Sequence, residues 1–268
     1  MDELKPGADP AAQQALAGQV VEGVRGLFQQ FANIIVGSVK AADRDVEHRM
    51  YEQATLASAQ YAIEHMVTAR PFRQTKYGAG GRLDLLEFAL TQVQVDGFHA
   101  EFGVYKGETL SFVANRIDKV VYGFDSFEGL PDDWFLGVTK GFFSLQGQLP
   151  QLDVMQNNFR LVKGWFNETL PGFLAQVDGP AAFLHVDCDL YTSTKAIFDS
   201  LQDRIVAGTV IVFDEYFNYP GWQNHEFKAF QEFCLARGVT YRYLAFAPTM
   251  FSVAIVIDAV SGGAGPTA

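Results

Sequence analysis

Ala181-Ala182-Phe183-Leu184-His185-Val186-Asp187-Cys188-Asp189 decides the fold, read together with a second run of the same build, Thr209-Val210-Ile211-Val212-Phe213-Asp214-Glu215. Both are short, apolar, rich in β-branched or aromatic residues, and end in acids, so they read as buried strands. Between them, Tyr191 to Gly208 opens with Thr and Ser, carries apolar residues at helical spacing and closes on glycine. A strand–helix–strand unit of this kind makes its strands parallel, with their carboxyl ends on one edge of a sheet. Open α/β sheets bind ligands along that edge. Carboxylates converging there repel one another unless a positive charge sits among them, and a hard divalent cation is the expected occupant.

Working outward, the spacing predicts further strands at Phe98–Val104, Val120–Asp125 and Arg160–Gly164, with helices at 109–115, 152–158, 167–176 and 192–203 between or after them. A helix over about 223–237 precedes Thr240–Phe246 and Phe251–Asp258, which are too close together to be joined by anything but a hairpin. The expected fold is therefore α/β: a doubly wound, mostly parallel seven-stranded sheet of Rossmann-like type with an antiparallel C-terminal hairpin. Ahead of it, residues 11–69 follow helical periodicity with a break expected at 37–45, and the glycine-rich stretch 71–81 reads as a loop. This gives three expected segments: a helical appendage over 1–75, serving as lid or oligomer contact, a ligand-binding domain over 76–260, and a disordered tail over 261–268.

The 268 residues suit one large domain with an appendage, and a hydrophobic fraction of 49% is ample for its core. A net charge of -11 with no basic stripe argues against a nucleic-acid partner. The two cysteines, Cys188 and Cys234, suit neither a disulfide framework nor a zinc site. The amino-terminal residues lack the layout of a signal peptide, and the apolar stretch Phe31–Val36 is far too short to span a bilayer. A cytoplasmic protein without membrane association is the expectation.

The turn after the first core strand reads Glu101-Phe102-Gly103-Val104-Tyr105-Lys106-Gly107. Glycines at a strand-to-helix turn let a ligand approach the backbone closely, but the spacing is not the dinucleotide pattern. An acid two residues before the first glycine suits a cationic cofactor without phosphate, of which S-adenosylmethionine is the obvious case. Asp125, followed by Ser126, ends the next strand, where a carboxylate can accept both hydroxyls of a ribose. Asp125 capping the next turn is the plainer reading. Trp165 follows the third strand and can flank an adenine ring or pack in the core. Asp187, Asp214 and Glu215 supply oxygen ligands of the kind Mg²⁺ prefers, so that a bound ion could chelate two substrate oxygens and acidify a hydroxyl. The plainer alternative is that these acids cap helices or pair with basic side chains.

Glu-Phe-Gly-Val-Tyr-Lys-Gly at 101–107, Gly-Phe-Asp-Ser-Phe-Glu-Gly-Leu-Pro at 123–131, Lys-Gly-Trp-Phe-Asn-Glu-Thr-Leu-Pro at 163–171, Asp-Cys-Asp-Leu-Tyr-Thr-Ser-Thr at 187–194 and Val-Ile-Val-Phe-Asp-Glu-Tyr at 210–216 resemble the macrocin O-methyltransferase family over roughly residues 97–230. The resemblance implies a class I methyltransferase fold, S-adenosylmethionine and Mg²⁺ as cofactors, a hydroxylated small-molecule substrate such as a natural-product sugar or phenol, and a homo-oligomer. It implies cofactor contacts at Glu101, Gly103, Asp125 and Ser126, with Tyr105, Gly107, Trp165 and Asp187 in the same motifs, and metal ligands at Asp187, Asp214 and Glu215. This chain departs from the pattern at Cys188, where the family usually has glycine, and at Glu215, where it usually has aspartate. Leu190 stands where catechol-type relatives place a lysine base. Asp189 is therefore the first candidate for the base and His225 the second, with His185 buried and structural. A nucleotide-dependent oxidoreductase on the same core, or a member that binds the cofactor without transferring methyl, are the alternatives.

Overall fold

The computed structural model describes residues 10–73, 76–77 and 80–262, with side chains of the first helix described at 18–19, 22–23, 25–40 and from 45 onward. The expectations for the first nine residues, for most of the tail and for parts of the 71–81 loop lie outside the described residues. The chain divides into two units, Met1–Glu52 and Gln53–Ala268.

The first unit lies on helix α1, Pro10–His65, which runs without interruption. The break expected at 37–45 does not occur. A lone glycine costs a helix interior only about 1 kcal/mol and no proline stops the ladder, while the i,i+4 pairs Asp45–Arg49 at 2.7 Å and His48–Glu52 at 3.2 Å add support. Leu27, Phe28, Phe31, Ile34 and Ile35 along it are each more than half exposed.

In the second unit the last turns of α1 are followed by β1 (Arg70–Pro71), α2 (Arg82–Thr91), β2 (Phe98–Phe102), α3 (Glu108–Ala114), β3 (Val121–Asp125), β4 (Phe159–Lys163), α4 (Phe166–Leu174), β5 (Ala181–Val186), α5 (Tyr191–Leu201), β6 (Val210–Phe213), a short 3₁₀ turn at Trp222–Asn224, α6 (Glu226–Arg237), β7 (Val239–Phe246) and β8 (Val253–Val260). The strands form one sheet of eight in the order β1-β7-β8-β6-β5-β2-β3-β4. β2 to β6 are mutually parallel, and β8 runs antiparallel to both β6 and β7. The expected hairpin is thus present, and the sheet has one strand more than its sequence pattern reveals. That strand, β1, is two residues long and contains a proline, so it carries no periodicity to read; it pairs with β7 at the sheet edge, where proline is tolerated.

The appendage was expected to reach residue 75, yet residues from 53 onward belong with the sheet. Met66 is buried, the Tyr61 and Tyr243 hydroxyls meet at 2.6 Å, and the Ser58 hydroxyl accepts the Asn218 N–H at 2.8 Å. The helix expected at 152–158 is also absent. Side chains elsewhere occupy its backbone groups: Asn115 donates to the Asp153 carbonyl at 2.8 Å and accepts the Met155 N–H at 2.9 Å, and Asn157 sits at positive φ, which a helix does not allow.

β2 and β5 are each buried along their whole length, as a parallel strand covered on both faces requires. From β2 the chain winds to β3 and β4 on one side, then returns to β5 and β6 on the other. The reversal opens a crevice at the carboxyl ends of β2 and β5. Gly103 permits it: a Cβ there would lie 1.6 Å from the Asp187 carbonyl oxygen. No other residue fits.

Candidate active site

At the tip of β3, the Asp125 carboxylate accepts the N–H groups of Val104 and Tyr105, each at 2.8 Å, and of Phe127 at 2.7 Å. It braces the turn after β2, in which Tyr105 is held at positive φ, and the turn after β3. Ser126 is buried, its hydroxyl accepting the Glu128 N–H at 3.1 Å. Glu101 is buried beneath the crevice, taking a hydrogen bond from Thr109 at 3.1 Å and pairing with His185 Nδ1 at 2.9 Å. Burial opposes charge on His185, but the Glu101 carboxylate raises its pKa on balance.

The strand tips of β5 and β6 bring four acids together in two overlapping triads. His185, Asp187 and Asp214 form one; Asp187, Asp189 and Glu215 form the other, and in each the ligating atoms lie within 4.8 Å of one another. Asp187 is common to both, so the expected set of Asp187, Asp214 and Glu215 is not a single cluster: Asp214 falls in the first triad and Glu215 in the second. Burial and the neighbouring Asp214 push Asp187 up to about 7. Burial likewise drives Asp189, Glu215 and Glu226 well above the ordinary carboxylate range. The donor set is all oxygen apart from one imidazole, and among the described residues Glu215 Oε2 is buried without a hydrogen-bond partner. Those are the properties of a seat for a hard divalent cation.

Two residues that the sequence motifs did not single out organise these acids. Arg82, the first residue of α2, donates from Nε to Asp214 at 2.7 Å and from Nη2 to Asp187 at 3.0 Å. Burial works against its charge, yet Asp214, Asp187 and Glu215 together raise its pKa. Glu226, the first residue of α6, is wholly buried and accepts three backbone N–H groups, those of Cys188, Asp189 and Glu215, each at 3.2 Å. One carboxylate thereby ties both acidic tips. Cys188 keeps a negative φ, so its turn does not need the glycine of the family pattern; Asp189 takes the positive φ of 63° instead. An arginine and a glutamate at helix starts, far along the chain from the acids they hold, carry no local signal.

A cavity of about 960 Å³ opens over these tips. Of the residues singled out from the sequence it is lined by Gly103, Tyr105, Asp125, Ser126, Trp165, Asp187, Asp189, Asp214 and Glu215, together with Arg82. Glu101, Gly107 and His225 are not among its lining residues. Glu101 is spent on His185 and Thr109, and a Cβ on Gly107 would meet Leu152 at 1.9 Å. The His225 ring lies 6.4 Å from Trp134 and 6.3 Å from Tyr219, with burial lowering its pKa. The far wall comes from the segment between β3 and β4, which supplies Trp134, Phe135 and Phe143. Residues 132–151 carry no strand or helix pattern, so these aromatics are not legible in the sequence.

Among curated proteins, the 8-demethyl-8-(2,3-dimethoxy-alpha-L-rhamnosyl)-tetracenomycin-C 4'-O-methyltransferase of Streptomyces olivaceus is 26% identical over 159 residues, 50% of this chain and 60% of that protein. The demethyldecarbamoylnovobiocin O-methyltransferase of Streptomyces niveus is 27% identical over 147 residues, 47% of this chain and 55% of that one. The chain thus spans somewhat over half the length of these relatives. Among solved structures, CalS11, a calicheamicin methyltransferase, superposes with a TM-score of 0.51 at 24% identity over 65% of this chain and 77% of its own, a likeness of fold. Among the described residues no helix is long and apolar enough to cross a membrane. The family model for macrocin-O-methyltransferase (TylF) matches residues 42–242, the span that contains every acid and turn of the crevice, and the chain belongs to that family.

Proposed function

We propose that the chain is a Mg²⁺-dependent, S-adenosylmethionine-dependent O-methyltransferase acting on a hydroxyl of a small molecule, a sugar or phenol of a natural product. Family membership and the activities for which the two Streptomyces relatives are named support O-methyl transfer. The observation that carries the reading is the opening of one cavity onto both the β2 and β3 turns and the acidic tips of β5 and β6. In this reading the turn at 103–107, Asp125, Ser126 and Trp165 hold the cofactor, and Asp187 and Asp214 hold the ion, with Glu215 of the second triad beside them.

When bound, the cofactor supplies an electrophilic methyl group and the cation polarises a substrate oxygen. Asp189 accepts the hydroxyl proton, its carboxylate held over the cavity by the turn that Glu226 anchors, whereas His225 does not line the cavity. Burial of Asp189 raises its affinity for a proton, which makes its ionised form a stronger base. Trp134, Phe135 and Phe143 exclude water and orient the ring of the substrate. The exposed apolar row of α1 supports a homo-oligomer built through that helix.

The test is S-adenosylhomocysteine release across a panel of hydroxylated glycosides and phenols, with and without chelator. Release that stops in chelator and returns with Mg²⁺ is expected. Release unaffected by chelator removes the metal from the reading, and no release on any vicinally oxygenated substrate counts against transfer itself.

A further inference from the structure

The guanidinium of Arg82 bridges Asp187 and Asp214, both assigned above to the cation, with charge-assisted bonds of 3.0 and 2.7 Å. A divalent ion seated against the same two oxygens, Asp187 Oδ2 and Asp214 Oδ1, would stand beside the guanidinium, and the two cations repel. Of the four carboxylates in the two triads, Arg82 bonds only Asp187 and Asp214. Its side chain is 23% exposed and lines the cavity, which gives it somewhere to go. It follows two glycines at positive φ, Gly80 at 58° and Gly81 at 87°, and no side chain caps the helix it begins. Asp214 has a second anchor that does not depend on the arginine: Ser252 donates to its Oδ1 at 3.0 Å. The acid therefore stays aimed when the guanidinium leaves.

We infer that Arg82 is a built-in counter-cation that holds the acidic tips together in the metal-free protein and is exchanged for the divalent ion when the site loads. This rests on the metal assignment made above. Its role is positioning: it fixes where the carboxylates stand and sets how tightly the ion binds, because each binding event must displace it. A buried cluster of like charges with no cation is costly, so the exchange also keeps the empty site folded.

The experiment uses the full chain and Mn²⁺ alone as the probe. Free Mn²⁺ is followed by electron paramagnetic resonance for the native protein, Arg82→Gln and Arg82→Lys, each variant's melting is followed in chelator and in Mn²⁺, and native crystals soaked in Mn²⁺ are examined by anomalous diffraction. Arg82→Gln is expected to bind Mn²⁺ more tightly, by about 5- to 150-fold, to melt lower in chelator and to recover with Mn²⁺. Arg82→Lys, which keeps the charge but lacks the planar fork, falls between. In the crystal, the ion is expected between Asp187 and Asp214 with the guanidinium beyond hydrogen-bond reach of both. Mn²⁺ on Asp187, Asp189 and Glu215 with Arg82 still bridging overturns the exchange while a metal site survives, as does equal affinity in the native protein and Arg82→Gln. Mn²⁺ at none of these carboxylates removes the metal assignment and the exchange together. Should Arg82→Gln fail to fold, the native crystal and the lysine variant decide the matter.

Discussion

The floor of the cavity is held by side chains, whereas its wall is held largely by main chain. On the floor, Arg82, Ser252 and His185 reach the carboxylates of Asp187 and Asp214, and Glu226 holds the backbone of the turns that carry Asp189 and Glu215, so the contacts come from α2, α6, β5 and the turn before β8. In the wall, the segment between β3 and β4 closes on itself through backbone bonds such as Leu130 N–H to the Phe142 carbonyl and Leu145 N–H to that of Phe127, at 2.9 and 3.0 Å. Phe127, Leu145, Leu152 and Val154 pack on the core, which leaves Trp134, Phe135 and Phe143 to face the cavity. A floor over-determined by buried polar contacts suits chemistry that tolerates no misplacement. A wall whose side chains carry little of its own structure can change what it accepts without unfolding the protein.

The sharpest break of that contrast is Asp214→Asn, which keeps the shape of the floor and removes a charge from it. Turnover should fall by roughly 10²- to 10³-fold, while calorimetry finds the cofactor bound as before; turnover that persists means the floor does not do the chemistry. Next is Glu226→Ala, which strands the N–H groups of Cys188, Asp189 and Glu215. At about 1–3 kcal/mol for each unsatisfied group, it should destabilise the protein markedly in denaturant titration. Glu226→Gln keeps one carbonyl acceptor and should lose less. If both variants melt with the native protein, the floor is not built as described.

Trp134→Ala tests the wall. It should raise KM for the substrate several-fold and leave kcat within a few-fold, with stability changed by about 1 kcal/mol or less; a fall in kcat with KM untouched would move Trp134 into the reacting layer. The smallest effect is expected at His99, at the buried amino end of β2, away from both regions. Burial keeps its imidazole below the ordinary histidine range. As pH drops through about 6.5, the unfolded chain takes up a proton that the folded chain refuses. Stability is therefore complete above that value and declines below it. His99→Gln should flatten the acid side of a melting-temperature profile without altering turnover at neutral pH.

How much of this could be read from the chain varies with how local the signal is. Strands β5 and β6 and the helix between them were legible because burial on both faces writes a continuous apolar run, and the acids ending each run stand out against it. The hairpin was legible from the shortness of its connection. The segment from 126 to 158 was not, since its order comes from scattered backbone bonds and from Asn115 and Asn158, which replace a regular ladder. Glu101 illustrates a different limit. Its place in the motif suggested a cofactor contact, and only the packing of β5 beside β2 brings His185 against it.

The sequence by itself determined that acids gather at one sheet edge, because strand alternation and the handedness of the crossover are local rules that any such run must obey. The tertiary structure alone decided what neutralises and aims them. Arg82 reaches Asp187 from 105 residues away, and Glu226 reaches Cys188 from 38. Nothing in either residue's neighbourhood announces that partner, since the pairing arises only when helices pack on the sheet and a charge stripped of water must find its opposite.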